Sequence, residues 1–280
     1  MKKFKFSFFA IMTIIANCMF VACGDDKDNP DNPEKPGSAK CVISEVAIID
    51  EEDGDTGLFS NFKFDKDGRI TNYKLQYSYD SEIFGDSYTY TSSVIRVTDQ
   101  DNDVMATYTL ENGLIVAAKD YWDNRWEYTY DSNKHITTIK AYDESSSEPI
   151  IYTCNWENGN LVSYNRKIDE GFERTYTVKY NDHENTLKIF PVDIFDGYLD
   201  CDDGRIFDAI LCSQGYFGAM PSKLMSEILG NFDGGYSKGY KFNYADFNKY
   251  GYPAQMTTVY LNAEDNGETI NDTYKFTWKM

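Results

Sequence analysis

Tyr128-Thr129-Tyr130-Asp131-Ser132-Asn133-Lys134-His135-Ile136 is the stretch that decides the fold. Two aromatic rings stand two residues apart, an acid follows, a short polar run comes next, and an isoleucine opens a new apolar segment. Residues two apart share one face of a β-strand, so this unit reads as strand, tight turn, strand. It recurs as Phe62-Lys63-Phe64-Asp65-Lys66-Asp67-Gly68-Arg69-Ile70 and as Tyr108-Thr109-Leu110-Glu111-Asn112-Gly113-Leu114-Ile115. Further copies are Asn155-Trp156-Glu157-Asn158-Gly159-Asn160-Leu161 and Val178-Lys179-Tyr180-Asn181-Asp182-His183. A diverged one lies at Phe242-Asn243-Tyr244-Ala245-Asp246, its turn lengthened towards Gly251. Asn-Gly and Asp-Gly readily take positive φ, which lets a tight turn reverse a twisted strand pair.

Outside these units the same period of two continues in Tyr73, Leu75, Tyr77 and Tyr79, in Tyr176, Val178 and Tyr180, and in Met256, Thr258 and Tyr260. Tyr240, Phe242 and Tyr244, then Tyr274, Phe276 and Trp278, carry it to the end. From Leu110 to Tyr130 is 20 residues, from Tyr130 to Trp156 is 26 and from Trp156 to Tyr180 is 24. That spacing leaves little room for crossover helices and predicts an antiparallel meander of hairpins. The fold class is therefore all-β, a soluble barrel or a strongly curved sheet with one short helix in an insert. Pro221 to Gly230 is the predicted helix: Leu224, Ile228 and Leu229 fall on one helical face, Pro221 stands near its start, and Gly230 sits as a C-cap. It belongs to a less regular insert of about 191–239, where a short apolar helix would plug a barrel or cover a sheet face.

The beginning of the chain gives an address. Lys2, Lys3 and Lys5 precede an uncharged apolar run from Phe6 to Val21, too short for a transmembrane span and suited to a secretion signal. The run ends at Phe20-Val21-Ala22-Cys23-Gly24, which resembles a bacterial lipobox, with Phe20 standing where Leu is usual. The resemblance implies a signal peptide of 1–22 and a mature chain whose amino-terminal Cys23 carries acyl groups. At about 0.8 kcal/mol per buried CH₂, several such chains hold a protein on a membrane without any spanning segment. Residues 23–40 hold Pro30, Pro33 and Pro36 among acids and read as an extended tether. An acidic stretch directly after the acylated cysteine resembles the surface-export signal of some Gram-negative outer-membrane lipoproteins. The expected location is the outer membrane, lipid-anchored and facing the outside, with the periplasmic face as the alternative. Residues 41–280 are expected to form a single β-rich domain.

The tandem hairpins, the lipobox and the size together resemble an uncharacterised family of bacterial outer-membrane lipoproteins with a porin-like β-barrel fold and YD-type repeats. The implication is architectural, since the resemblance carries neither an activity nor functional residues. A barrel that crosses a bilayer needs apolar side chains on its outer face. Here the positions alternating with the aromatics hold Lys74, Gln76, Ser78, Thr129, Thr177, Lys179, Lys275 and Thr277, a face suited to water.

Composition limits the function. The chain has 280 residues, 46 acids against 27 Lys and Arg, a net charge of −19, and 23 Tyr, 18 Phe and 4 Trp. Removing Lys2, Lys3 and Lys5 with the signal takes the charge from −19 to −22. Nucleic-acid partners are excluded by that balance, because phosphate binding rests on Lys and Arg clusters. So many aromatics exclude ordinary acidic disorder.

The sequence carries no Gly-x-Ser-x-Gly elbow, Cys-x-x-Cys pair, zinc-binding histidine pair or phosphate-binding glycine loop. The chain is read as a non-enzyme without cofactor or metal. His135 and His183 fall in predicted turns. Asp99-Gln100-Asp101-Asn102-Asp103 and Asp200-Cys201-Asp202-Asp203-Gly204 only partly match a calcium loop and read as solvated turns. Cys201 and Cys212 are near enough in sequence for a local disulfide in an oxidising envelope, and Cys154 reads as a small buried thiol. The candidate recognition surface is Tyr121, Trp122 and Trp126, whose rings would stack on sugars or contact a protein; against it stands the reading that Trp126 joins the core row of Tyr128 and Tyr130. Three functions stay open: a ligand- or partner-binding barrel on a lipid anchor, a structural or assembly component of the outer membrane, and a glycan hydrolase using two carboxylates.

Overall fold

The computed structural model describes residues 42–142, 148–168, 173–190, 209–231, 237–262 and 267–279. Its first strands are β1 (Val42–Asp50), β2 (Thr56–Phe64), β3 (Ile70–Tyr77), β4 (Ile83–Phe84), β5 (Ser87–Tyr90) and β6 (Val94–Thr98). Next come β7 (Val104–Glu111), β8 (Leu114–Asp120), β9 (Arg125–Tyr130), β10 (Ile136–Tyr142), β11 (Ile150–Glu157) and β12 (Asn160–Lys167). The last are β13 (Glu173–Glu184), β14 (Lys223–Asn231), β15 (Ser237–Ala245), β16 (Gln255–Asn262) and β17 (Gly267–Lys279), with one helix, α1 (Ala209–Ser213), between β13 and β14.

Apart from β4 and β5, each strand pairs antiparallel with the next, and β17 returns to pair with β1 from Val42↔Lys279 to Asp50↔Asp272. The sheet is thus closed. The short β4 and β5 both pair with β3 and share one place in the wall, so the ring has sixteen places. Closure removes the exposed strand edges that invite aggregation. Of the two open alternatives, barrel and curved sheet, the chain adopts the barrel.

The alternation in the sequence becomes the inside and outside of this wall. Tyr73, Leu75, Trp126, Tyr128, Tyr176, Val178, Tyr274 and Phe276 are buried inward. Their neighbours Lys74, Gln76, Thr129, Thr177, Lys179, Lys275 and Thr277 are exposed outward. Tyr79 departs from the pattern: β3 ends at Tyr77, and Tyr79 lies exposed beyond it, stacked on Tyr77 at 5.2 Å.

The repeat has a mechanical meaning. Asp65, Asp99, Asp120, Asp131 and Asn248 each begin the same turn, in which the Oδ1 atom accepts the backbone N–H groups two and four residues on. The residue three on takes positive φ: Gly68, Asn102, Asp123, Lys134 and Gly251. A side-chain acceptor that ties its own loop in this way is why Asx residues favour turns. Asn112-Gly113 and Asn158-Gly159 make two-residue turns with both residues at positive φ.

The aromatic that precedes each turn supplies the second half of the unit. Tyr90 Oη donates to the Ile70 carbonyl at 2.7 Å, Tyr130 to Ile115 at 2.5 Å, Tyr180 to Leu161 at 2.9 Å and Tyr244 to Met225 at 2.9 Å. Trp156 and Trp278 donate their indole N–H to the carbonyls of Ile136 and Pro253 at 2.7 and 2.8 Å. These donors form a girdle at one end of the barrel, where β1 begins and β17 ends. Each one ties the last strand of a hairpin to the strand before it. A Tyr130→Phe or Tyr244→Phe protein should lose about 1 kcal/mol per bond, read as a lower urea midpoint with an unchanged slope; no change in midpoint would mean that the girdle is incidental.

Sixteen strands enclose a lumen wide enough for an aqueous channel in a porin. Here residues 209–219, from the connection between β13 and β14, occupy it. Ile210, Leu211, Cys212 and Phe217 are at most 1% exposed. The Phe217 ring meets Tyr108 and Tyr128 edge-on at 6.1 and 5.3 Å, and Tyr216 stacks on Tyr90 at 5.9 Å. Backbone bonds pin the segment: Ile115 N–H donates to the Tyr216 carbonyl at 2.8 Å, and Ala219 N–H to the Lys134 carbonyl at 2.9 Å. Gly218 sits at φ 80° so close to the wall that an added Cβ would overlap the Lys134 carbonyl.

One sequence expectation fails here. Pro221–Gly230 is not a helix: Lys223–Asn231 is strand β14, paired with β13 and β15. Register shifts in the β13–β14 ladder put the neighbours Leu224 and Met225 both in the core, followed by Ile228. The bulge breaks the alternation and imitates a helical period. The helix of the insert is α1, a single buried turn.

Candidate functional site

The girdle end of the barrel is occupied with structure. A groove of about 530 Å³ opens there beside Glu184, Lys188, Pro221, Lys223 and Tyr252. Its polar groups brace the insert: the buried Asn185 side chain donates to the Ile189 and Pro221 carbonyls at 3.1 and 2.9 Å, and Lys223 Nζ donates to the Asp182 carbonyl at 2.8 Å. His135 lies nearby, its Nδ1 3.0 Å from the Asp131 carboxylate and its ring stacked on Trp156 at 4.3 Å. That contact and the turn's own N–H donors hold the Asp131 carboxyl below the usual range, although burial works the other way. His183 stacks on Phe247 at 4.1 Å. Both histidines are thus engaged in turn architecture.

Among the connections described in full, those after β1, β3, β6 and β8 lie at the opposite end, the rim. It carries the exposed Tyr79, Ile83, Val104, Tyr121 and Trp122. Tyr121 and Trp122 occupy the turn between β8 and β9, and their rings stand perpendicular at 84° with centroids 5.6 Å apart. Asp120 builds this turn: its carboxylate accepts the N–H groups of Trp122 and Asn124 and the Asn124 amide, each at 2.9 Å. Burial of Asp120 outweighs these three donors and raises its pKa. The Tyr121 N–H donates to the Met105 carbonyl at 2.9 Å, which fastens the turn to β7. Lys119 Nζ lies 2.5 Å from Asp123 Oδ1 on the same turn.

The three residues singled out from sequence do not share a surface. Tyr121 is 58% exposed and Trp122 36%, whereas Trp126 is 1% exposed and points into the lumen beside the β9 row. Trp126 is two residues into the strand, in phase with Tyr128 and Tyr130, and the alternation carries it inward. Asp99 Oδ1 is engaged by the N–H groups of Asp101 and Asp103, so that stretch is a turn. Among the described residues no three His, Cys, Asp or Glu side chains gather as a metal site. Cys154 is a buried free thiol whose pKa is pushed up to about 12 by desolvation. Cys212 is buried within the plug, while Cys201, Cys23, the tether and the Asp200–Gly204 run lie outside the described residues.

Two features escaped the sequence reading. Tyr216 and Phe217 have no periodic context to mark them as a lumen plug. Arg166 and Arg174 are cross-strand partners, and Arg166 is 2% exposed; Arg166 is two residues from the inward Tyr164, so alternation alone assigns it to the inside.

Comparison with known proteins agrees with this architecture. The family model described as "Domain of unknown function (DUF4595) with porin-like fold" matches residues 62–255. A porin-like protein from Bacteroides uniformis ATCC 8492 superposes with a TM-score of 0.63 at 15% identity, over 88% of this chain and 99% of that one. Another from Bacteroides vulgatus ATCC 8482 gives 0.54 at 12% identity, over 85% of this chain and 98% of that one. No curated protein matches.

Proposed function

The chain belongs to the family of domains of unknown function with a porin-like fold, and from that membership and the filled lumen we propose that it is a non-catalytic, lipid-anchored envelope protein presenting its rim to a ligand or partner. The observation that carries this reading is the plug: Phe217 and α1 stand where a porin has its channel, so the barrel is a rigid support and not a conduit. The outward Lys, Thr and Gln side chains argue in the same direction, because charges facing lipid are costly. Strand β1 begins at the girdle end, so a tether leading from Cys23 enters there and leaves the Tyr121 and Trp122 rim at the far end. Lipidation would then attach the protein to the outer membrane without inserting the barrel. The plug also favours a scaffold over a ligand carried inside the lumen.

The test is the Cys23→Ala protein. Carbonate washing of membranes should release it into the soluble fraction while the wild-type chain stays in the pellet. A barrel that remains in the pellet without its lipid would be inserted in the bilayer, and the reading would fall.

A further inference from the structure

We propose that Tyr121 and Trp122 form a stacking platform for a neutral pyranosyl glycan. The proposal rests on the reading of the rim as the presented end and names what that end takes up.

Three observations converge. The two rings are exposed at the apex of a turn, yet the turn is fixed by the Asp120 carboxylate and by the Tyr121 bond to Met105. A platform ordered before binding loses little conformational entropy when a ligand arrives. The perpendicular arrangement gives a corner: the CH-rich face of one pyranose lies on one ring while the other closes the side. Aromatic rings combine large apolar area with polar tips in this way, and Asp123 and Lys119 flank the corner with groups that accept from and donate to hydroxyls.

Size and charge select the ligand. A stable protein interface covers about 800 Å² on each partner, whereas the perpendicular corner is made by two side chains, Tyr121 and Trp122. The adjoining turns carry Asp99, Asp101, Asp103 and Asp123 against Lys119 and Arg125 at the strand ends, so acids are in excess and uronic or sulfated sugars are disfavoured.

The experiment is calorimetric titration of the mature chain with cellohexaose, laminarihexaose, mannohexaose and chitohexaose, with hexagalacturonate and hexalysine as charged controls. At least one neutral hexasaccharide should bind, with Trp122 fluorescence shifting to the blue. Trp122→Ala and Tyr121→Ala should each weaken binding ten-fold or more with an unchanged melting temperature, and Trp122→Phe should retain most of it. Hexagalacturonate should give no heat. No binding of any neutral hexasaccharide, binding undiminished in Trp122→Ala, or binding of hexalysine alone would overturn the proposal. Membrane release of the Cys23→Ala protein is measured without sugar, so failure of the glycan inference is distinguishable from failure of the anchored-display reading.

Discussion

Raising the pH from 9 to 11.5 should unfold the barrel. Tyr130, Tyr180, Tyr240, Tyr244 and Tyr274 all have pKa values raised, chiefly by desolvation, Tyr240 to about 12 and Tyr130, Tyr180 and Tyr244 above that range. In the unfolded chain a tyrosine ionises near pH 10. Below that pH both states hold the proton and the stabilising contacts are fully present. Above it the unfolded state loses protons that the folded state keeps, so stability falls as pH rises towards the folded values. Each such group costs about 1.4 kcal/mol per pH unit. One unit past pH 10, five of them remove about 7 kcal/mol, comparable to the roughly 5–15 kcal/mol that holds a typical domain folded. Circular dichroism and phenolate absorbance at the same pH should change together. Complete ionisation of all tyrosines in a barrel that keeps its melting temperature would contradict the buried placement of the girdle.

Replacing Phe217 by Ala should cost about 3–5 kcal/mol. The ring is fully buried and meets Tyr108 of β7 and Tyr128 of β9 edge-on. At about 2–4 °C per kcal/mol for a domain of this size, the melting temperature should fall by roughly 10 °C. Phe217→Leu, which keeps most of the volume, should cost much less. A neutral Phe217→Ala result would mean that the residue is solvated and the lumen open.

The fold was legible because its information is local. An Asx residue followed by a positive-φ position three residues later marks a turn wherever it occurs, and Asp65, Asp131 and Asn248 do so at the girdle end. The aromatic before one turn donates to the carbonyl of the isoleucine or leucine that follows the preceding turn, as Tyr180 and Leu161 illustrate. What resisted reading is non-local. The β14 bulge places Leu224 and Met225 side by side in the core, which no strict period of two predicts. Helix α1 is only five residues long and Ile210, Leu211, Cys212 and Ser213 are all buried, so it has no amphipathic signature. At the rim, Tyr121 and Trp122 were legible as exposed aromatics of a turn, while the separation of Trp126 from them depends on where β9 begins.

The plug is the centre of this account, and hydrogen exchange of the peptide covering residues 209–219 tests it most directly. The amides of Tyr216 and Ala219 donate to the carbonyls of Leu211 and Lys134 inside the barrel. The peptide should exchange as slowly as those of β7 and β9. Exchange of 209–219 within seconds, with the wall strands still protected, would describe an open lumen and contradict the assignment of this barrel as a closed support.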